Sequence, residues 1–289
     1  MTAATGFSRS LRRLSRWGTG YGLFTIGVVL VGVMVLLAAA APLISRYDPA
    51  AQGVGPALAG PSAEHWLGTD RFGRDLAARV LHGGRITLLA TAAALALVVS
   101  VGTMLGALAA SLGYLVDRAA RHVFDLLVAF PVMVVALALV GLWGPSLVTA
   151  IAGVLIVLWA PFARLSRSLV RAALAEPSAV TARALGAGRW RLLRYEVWPR
   201  LRGPVLVLAA VEAAQLIGVV AGLSFLGLGA QPPSAEWGAM LQEGRAALWS
   251  APHLVLVPGA AVLVTVLGLT CVGEGLRDVL DRAGQTVAE

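Results

Sequence analysis

The chain has 289 residues, of which 58% are hydrophobic and 13% charged, against about 25% charged in soluble domains. With a mean hydropathy of +0.81, the apolar excess faces lipid, which excludes a cytosolic enzyme, a secreted disulfide scaffold and a disordered regulator. The net charge of +8, from 23 basic and 15 acidic residues, suits nucleic acid only on a soluble basic face, and no such face is available.

Uncharged apolar runs of about 20 residues mark membrane helices. Residues 1–20 form an N-terminal tail with Arg9, Arg12, Arg13 and Arg16, and 21–43 form the first span. The Arg-rich start and Ala38–Ala41 also suit a cleaved leader, but the apolar stretch exceeds the usual ~7–15 residues. Residues 44–85 follow as an extracytoplasmic segment. Its early part, 48–61, is rich in Pro, Gly and Ala and reads as irregular. Phe72, Leu76 and Val80, with Arg71, Arg74, Asp75 and Arg79 between them, predict a separate amphipathic helix, flat on the bilayer or covering an external mouth. His65 and His82 read as surface residues.

A core of five spans is expected over 86–275. The second span starts at Ile86, and no charge appears again before Asp117. Residues 126–163 are uncharged and too long for one helix. Gly141, Gly144 and Pro145 predict a break between spans over 123–141 and 146–163, with Asp125 at the interface. The last two spans are 203–222 and 253–273, and 276–289 is a C-terminal tail. The predicted fold is an all-α, six-span integral membrane protein.

Seventeen arginines lie in segments on the side of the two tails and six on the other. The positive-inside rule places both tails in the cytoplasm. Trp17, Trp143, Trp198 and Trp249 fall at span edges, as interfacial aromatics do.

The cytoplasmic insertion 164–203 carries nine arginines and is too long for a plain helix connection. Residues 175–178 look like a helix start, 179–185 form about two turns, and Gly186, Ala187 and Gly188 break them. A second helix, 189–197, ends at Trp198-Pro199. Small residues at Ala182, Ala184 and Gly186–Gly188 let another surface approach closely; a basic loop on anionic lipid needs none of them. In the external segment 223–252, Pro232-Pro233 stops the chain and Ser234 is expected to cap a helix with Glu236 in its first turn. Glu212 is the one central charged residue, with Gln215 a turn on. Such groups line a translocation path or pair at a subunit contact.

Several strings resemble the transmembrane permease subunits of ABC importers, in the dipeptide/oligopeptide/nickel branch. The external ones are Gly68-Thr69-Asp70, Gly73-Arg74-Asp75, Leu223-Ser224-Phe225-Leu226-Gly227, and Glu236-Trp237 after the paired prolines. The run 276–281 resembles the branch's ending. The insertion sits where the family has its ATPase-coupling loop, which implies a coupling role for Val180, Thr181, Ala182, Arg183, Gly186, Ala187, Gly188 and Pro199. Here the motif's glutamate and first alanine are Val180 and Thr181. The usual His-Ile-Leu-Pro-Asn reads Glu196-Val197-Trp198-Pro199-Arg200.

The resemblance implies a multi-pass bacterial inner-membrane permease for small peptides, or alternatively for nickel or a metal chelate. It implies a second homologous permease, two ABC ATPase subunits, an extracytoplasmic substrate-binding protein and membrane lipid as partners, and no nucleic acid. No catalytic residue and no bound cofactor are expected in this chain. All its basic residues are Arg, so it lacks the lysine of a P-loop, and ATP with Mg belongs to the partner ATPases. One cysteine, Cys271, makes no disulfide or Cys-rich metal site, and no metal is expected. Two rival classes remain. A secondary transporter or channel would concentrate polar groups at mid-membrane. An intramembrane serine protease would use Ser224 and His253.

Overall fold

A computed structural model describes the backbone of residues 3–286 and the side chains of residues 21–282, Arg189 excepted. The tail expected at 1–20, with Trp17, and residues 283–289 of the tail expected at 276–289 lie outside the described side chains. The elements are α1 (Ala3–Ala39), α2 (Ala41–Ile44), α3 (Leu76–Ser111), α4 (Tyr114–Ala129), α5 (Val132–Trp143), α6 (Leu147–Ala175), α7 (Pro177–Ala184) and α8 (Arg189–Leu192). A π turn, Leu193–Val197, leads into α9 (Trp198–Phe225). Then come α10 (Trp237–Gly244), a 3-10 turn and α11 (His253–Thr286). No strand occurs among the described residues.

Five helical stretches are long and apolar enough to cross a membrane: Tyr21–Ala39, Leu76–Ser111, Leu147–Ala175, Trp190–Phe225 and His253–Arg282. A sixth crossing exists if α4 and α5, bent by 82°, are one span. This corrects the straight span expected over 123–141. Pro131 donates no backbone N–H and disfavours the helical conformation in the residue before it. Phe130 is accordingly extended, at φ −78° and ψ 130°, and ends α4.

Two further boundaries differ from expectation. There is no separate amphipathic helix at 72–80. Asp75 caps α3, and the helix that carries the second apolar run starts at Leu76, before Ile86. Arg74 and Arg79 are each only 1% exposed, so the alternation of charge and apolar side chains does not mark a water-facing surface. At the other end of the core, Trp198-Pro199 does not stop a helix. Pro199 sits in the first turn of α9, where a missing N–H is tolerated. The wider π turn just before it absorbs the proline, and 190–225 runs on as one helical stretch.

Helices α1 and α9 pack along α11, and α3 packs along α6. Leucines such as Leu36, Leu97 and Leu137 point outward, while Val154, Leu158, Phe162, Leu216 and Ile217 are buried. With apolar side chains on both sides of the helix surface, close backbone approach replaces hydrophobic sorting as the source of packing energy. Gly102 and Gly106 supply that approach. A Cβ on Gly102 would stand 2.3 Å from the Trp159 carbonyl oxygen, and one on Gly106 2.2 Å from that of Ala163. Gly106→Val is therefore expected to destabilise the fold by about 1–3 kcal/mol, the usual overpacking cost. Gly32→Val, on an open face of α1, should leave the midpoint unchanged. Thermal unfolding of the detergent-purified protein checks both, and equal midpoints for the two variants would refute the packing role.

Candidate functional site

Three features occupy three levels of the bundle. Residues 45–75 and 226–252 form a cap over one end, α9 carries an open stripe through the middle, and α7 and α8 form a hairpin at the other end.

The cap is held by charge. The Asp75 carboxylate accepts the Ala78 N–H at 2.7 Å and starts α3, and the His65 ring nitrogen lies 2.8 Å from its other oxygen. Asp70 accepts the Phe72 and Arg74 N–H groups at 2.8 and 3.0 Å. The Arg74 Nε donates to Asp70 at 2.5 Å, and its Nη2 donates to Glu243, across the gap to α10. Arg79 adds a 3.1 Å bond to Glu243 and lies 3.6 Å from Asp70. Two guanidiniums and two carboxylates thus close into one buried cluster. His65, expected at the surface, is 4% exposed, because Asp75 and the Tyr47 ring enclose it.

The other external string locks onto the same helix. Glu236, not Ser234, caps α10, accepting the Gly238 and Ala239 N–H groups at 2.9 Å each. The Trp237 indole N–H donates to the Val80 carbonyl at 2.9 Å. The Ser224 hydroxyl oxygen accepts the Ala230 N–H at 3.2 Å, closing the turn in which Gly227 has φ +80°. Phe225 ends α9. Gly68 and Gly73 turn the first string at φ +85° and +66°, and the Thr69 hydroxyl donates to the Pro56 carbonyl. The external residues read from sequence are therefore brought together, as the frame of the cap. Glu243 was missed, as was Thr87, whose hydroxyl donates to Glu236 at 3.4 Å, and Arg79 was read only as part of an amphipathic helix. Glu243 carries no motif, and only its 169-residue contact with Arg74 reveals it.

On α9 the sequence paired Glu212 with Gln215, and the structure separates them. Val207, Val211, Gln215, Gly218 and Gly222 share one arc of the helix. Val211, Gln215 and Gly218 are exposed and the other two half-buried. A glutamine amide on a lipid-facing surface is costly, so the stripe suits a subunit contact or a wet path. Glu212 is off that arc, 8% exposed, with Oε2 in the interior making no hydrogen bond among the described residues. Toward the hairpin end the stripe opens into a cavity of about 760 Å³ between α4, α6, α9 and α11. Nearby, Asp117 joins α4 to α6 through Arg167, with two bonds of 2.6 Å, and Arg171, at 2.6 Å. Sequence reading had taken Asp117 only as the end of a span.

The hairpin is built around Gly186. The Ala187 N–H reaches back to the Ala182 carbonyl at 2.9 Å and the Gly186 N–H to Arg183 at 3.0 Å. This pair of bonds is a Schellman ending, which needs a left-handed residue, and Gly186 has φ +86°. Ala179 is fully buried against the bundle. Val180, Thr181, Arg183, Gly186 and Gly188 face outward, while Ala182 and Ala187 are half-buried. Leu185 is 84% and Trp190 77% exposed beside them. The Ser178 hydroxyl donates to Glu196 at 2.9 Å, and Arg200 binds the same carboxylate at 3.2 Å. Glu196 and Arg200 both depart from the branch's pattern, and here they pair with each other.

A family model for the binding-protein-dependent transport system inner membrane component matches residues 102–283. The chain belongs to that family. It is 38% identical over 90% of its length to the dipeptide transport system permease protein DppC of Alkalihalophilus pseudofirmus, covering 85% of that protein. It is 34% identical to the nickel transport system permease protein NikC of Escherichia coli, over 92% of this chain and 95% of the relative. It is 39% identical to the glutathione transport system permease protein GsiD of Pectobacterium atrosepticum, over 77% of this chain and 74% of the relative. The chain is a transport permease of the ABC importer class in the bacterial inner membrane.

Glu243→Ala would leave Arg74 and Arg79 buried with one carboxylate between them. Removing one partner of a buried ion pair costs about 3–5 kcal/mol. Asp125→Ala removes only an exposed i,i+4 partner of Arg121 and should cost at most about 0.5 kcal/mol. Limited proteolysis of residues 45–75 in purified protein checks the difference. Equal resistance in both variants would mean that the cluster does not hold the cap.

Proposed function

We propose that this permease forms half of the translocation pathway of an ATP-driven importer of small peptides. A second homologous permease would supply the other half. Two ABC ATPase subunits, which bind the ATP and Mg, would dock on the hairpin, and a substrate-binding protein on the cap. The arginine distribution supports a cytoplasmic hairpin and tails and an external cap. This chain contributes the path and the coupling contact and no covalent chemistry. The Ser224 hydroxyl is engaged as an acceptor for Ala230, which suits a structural role better than a nucleophile.

The observation that carries this reading is the hairpin. A short helix closed by a left-handed glycine, with Val180, Leu185 and Trp190 standing out from the bundle, suits insertion into a protein cleft. Similarity to DppC and GsiD supports a peptide substrate, and similarity to NikC supports nickel as the second reading. In the working cycle, closure of the ATPases would move the hairpin. Through the continuous 190–225 stretch, that motion would reach the α9 stripe.

Gly186→Arg and Gly186→Glu place a charged side chain at the docking contact, and burying an unpaired charge costs several kcal/mol. Both are expected to abolish uptake and to reduce ATPase co-purification, with normal membrane levels of the permease. Gly186→Asn keeps the left-handed turn, which asparagine tolerates, and should retain the ATPase. Wild-type uptake by Gly186→Arg with ATPase bound would remove the hairpin from coupling and leave it as a lipid-binding loop. Uptake in a deletion strain separates the substrates: restoration of nickel uptake alone would select the second reading.

A further inference from the structure

The cavity at the hairpin end of the stripe has a distinct chemistry. Its floor is apolar, from residues such as Leu165, Val207, Leu208 and Val211, and two helix-interior prolines, Pro161 and Pro204, line it from α6 and α9. Four arginines reach it: Arg121, Arg164, Arg167 and Arg277. Two are already compensated. Arg167 is spent on Asp117 at 2.6 Å, and Arg121 lies 3.5 Å from Asp125. Arg164 on α6 and Arg277 on α11 make no ion pair among the described residues, and the one other acid in the lining is the exposed Asp281.

Two exposed guanidiniums from different helices, neither in an ion pair among the described residues, therefore line this apolar-floored cavity. A guanidinium presents a planar fork of donors that matches a carboxylate or phosphate. The geometry points to a binding site for an oxyanion on an apolar body, held by Arg164 and Arg277. The volume of about 760 Å³ falls within the ~300–1,000 Å³ of ligand pockets. The oxyanion has two sources: the carboxylate of a peptide leaving the stripe, or the phosphate of an anionic phospholipid, for which basic pockets between helices are suited. The first source rests on the peptide-import reading above; the second does not. A bare divalent cation is disfavoured in either case, because the uncompensated charge has its own sign.

The test compares the complete importer with wild-type permease, with the Arg164→Gln/Arg277→Gln double variant and with the matching double lysine variant. Native mass spectrometry of each, purified with phosphatidylglycerol and phosphatidylcholine, reads lipid preference. ATP-driven dipeptide uptake in liposomes of phosphatidylcholine alone reads the substrate. For a lipid site, the glutamine variant loses the phosphatidylglycerol preference by about tenfold while uptake is unchanged. For a substrate site, neither protein prefers phosphatidylglycerol, and uptake by the glutamine variant falls about tenfold. The lysine variant keeps the charge but not the fork of donors, so it should recover part of either effect. A glutamine variant equal to wild type in both measurements overturns the site, as does a loss that lysine does not rescue. If the wild type imports no dipeptide, the transport reading fails by itself and the lipid measurement alone decides the cavity.

Discussion

The cap depends on one buried interaction, the closure of Asp70, Arg74, Arg79 and Glu243 into a neutral group of two cations and two anions. Taking four charges out of water is costly, and mutual attraction offsets that only when every partner is in place. The cluster therefore makes the cap an all-or-none assembly. It ties the irregular segment 45–75 to the start of α3 and to α10, three pieces that no continuous hydrogen-bond ladder could join. Glu236 and Trp237 repeat the tie a turn deeper, through the N-terminus of α10 and the Val80 carbonyl. The strings read from the sequence as external signatures are the fastening of this cap.

Below the cap the physics changes. Lipid is as apolar as leucine, so helix association rests on backbone proximity rather than on hiding hydrophobic surface. Gly102 and Gly106 bring α3 against the carbonyls of α6. The same rule gives the α9 stripe its meaning. Glycines and Gln215 on an open face are poor lipid contacts, and they suit a surface completed by a second subunit and a passing solute. The stripe runs directly into the arginine-bearing cavity through Val207 and Val211, so stripe and cavity form one continuous surface of this chain.

The hairpin meets a different constraint, since it is exposed and still holds its shape. It does so with local devices. A Schellman turn closes α7, and Glu196 anchors it to the following helix through Ser178 and Arg200. The α4–α5 pair is bent by 82°, whereas 190–225 runs on as one helical stretch despite its π turn and Pro204.

By itself the sequence determined the class, the number of apolar segments, the arginine bias and the strings that carry the family resemblance. All of these are local properties of composition and order, and lipid makes them unusually legible, because a spanning helix must satisfy its own backbone. It also located the hairpin, since glycine at 186 and small residues around it are local signals. Only the tertiary structure decided what the charges near 70–80 were for. Alternation of arginines with Phe72, Leu76 and Val80 reads as a wet helix face until Glu243, far along the chain, is folded against it. The same holds for His65, enclosed by Asp75, and for Asp117, claimed by Arg167 and Arg171. Glu212 and Gln215 are three residues apart and only about 60° apart around the helix, yet that offset puts one in the interior and the other on the open stripe. Pairing between distant elements, and the direction of a side chain around a helix wholly surrounded by apolar matter, leave no periodic trace, so they are settled by packing alone.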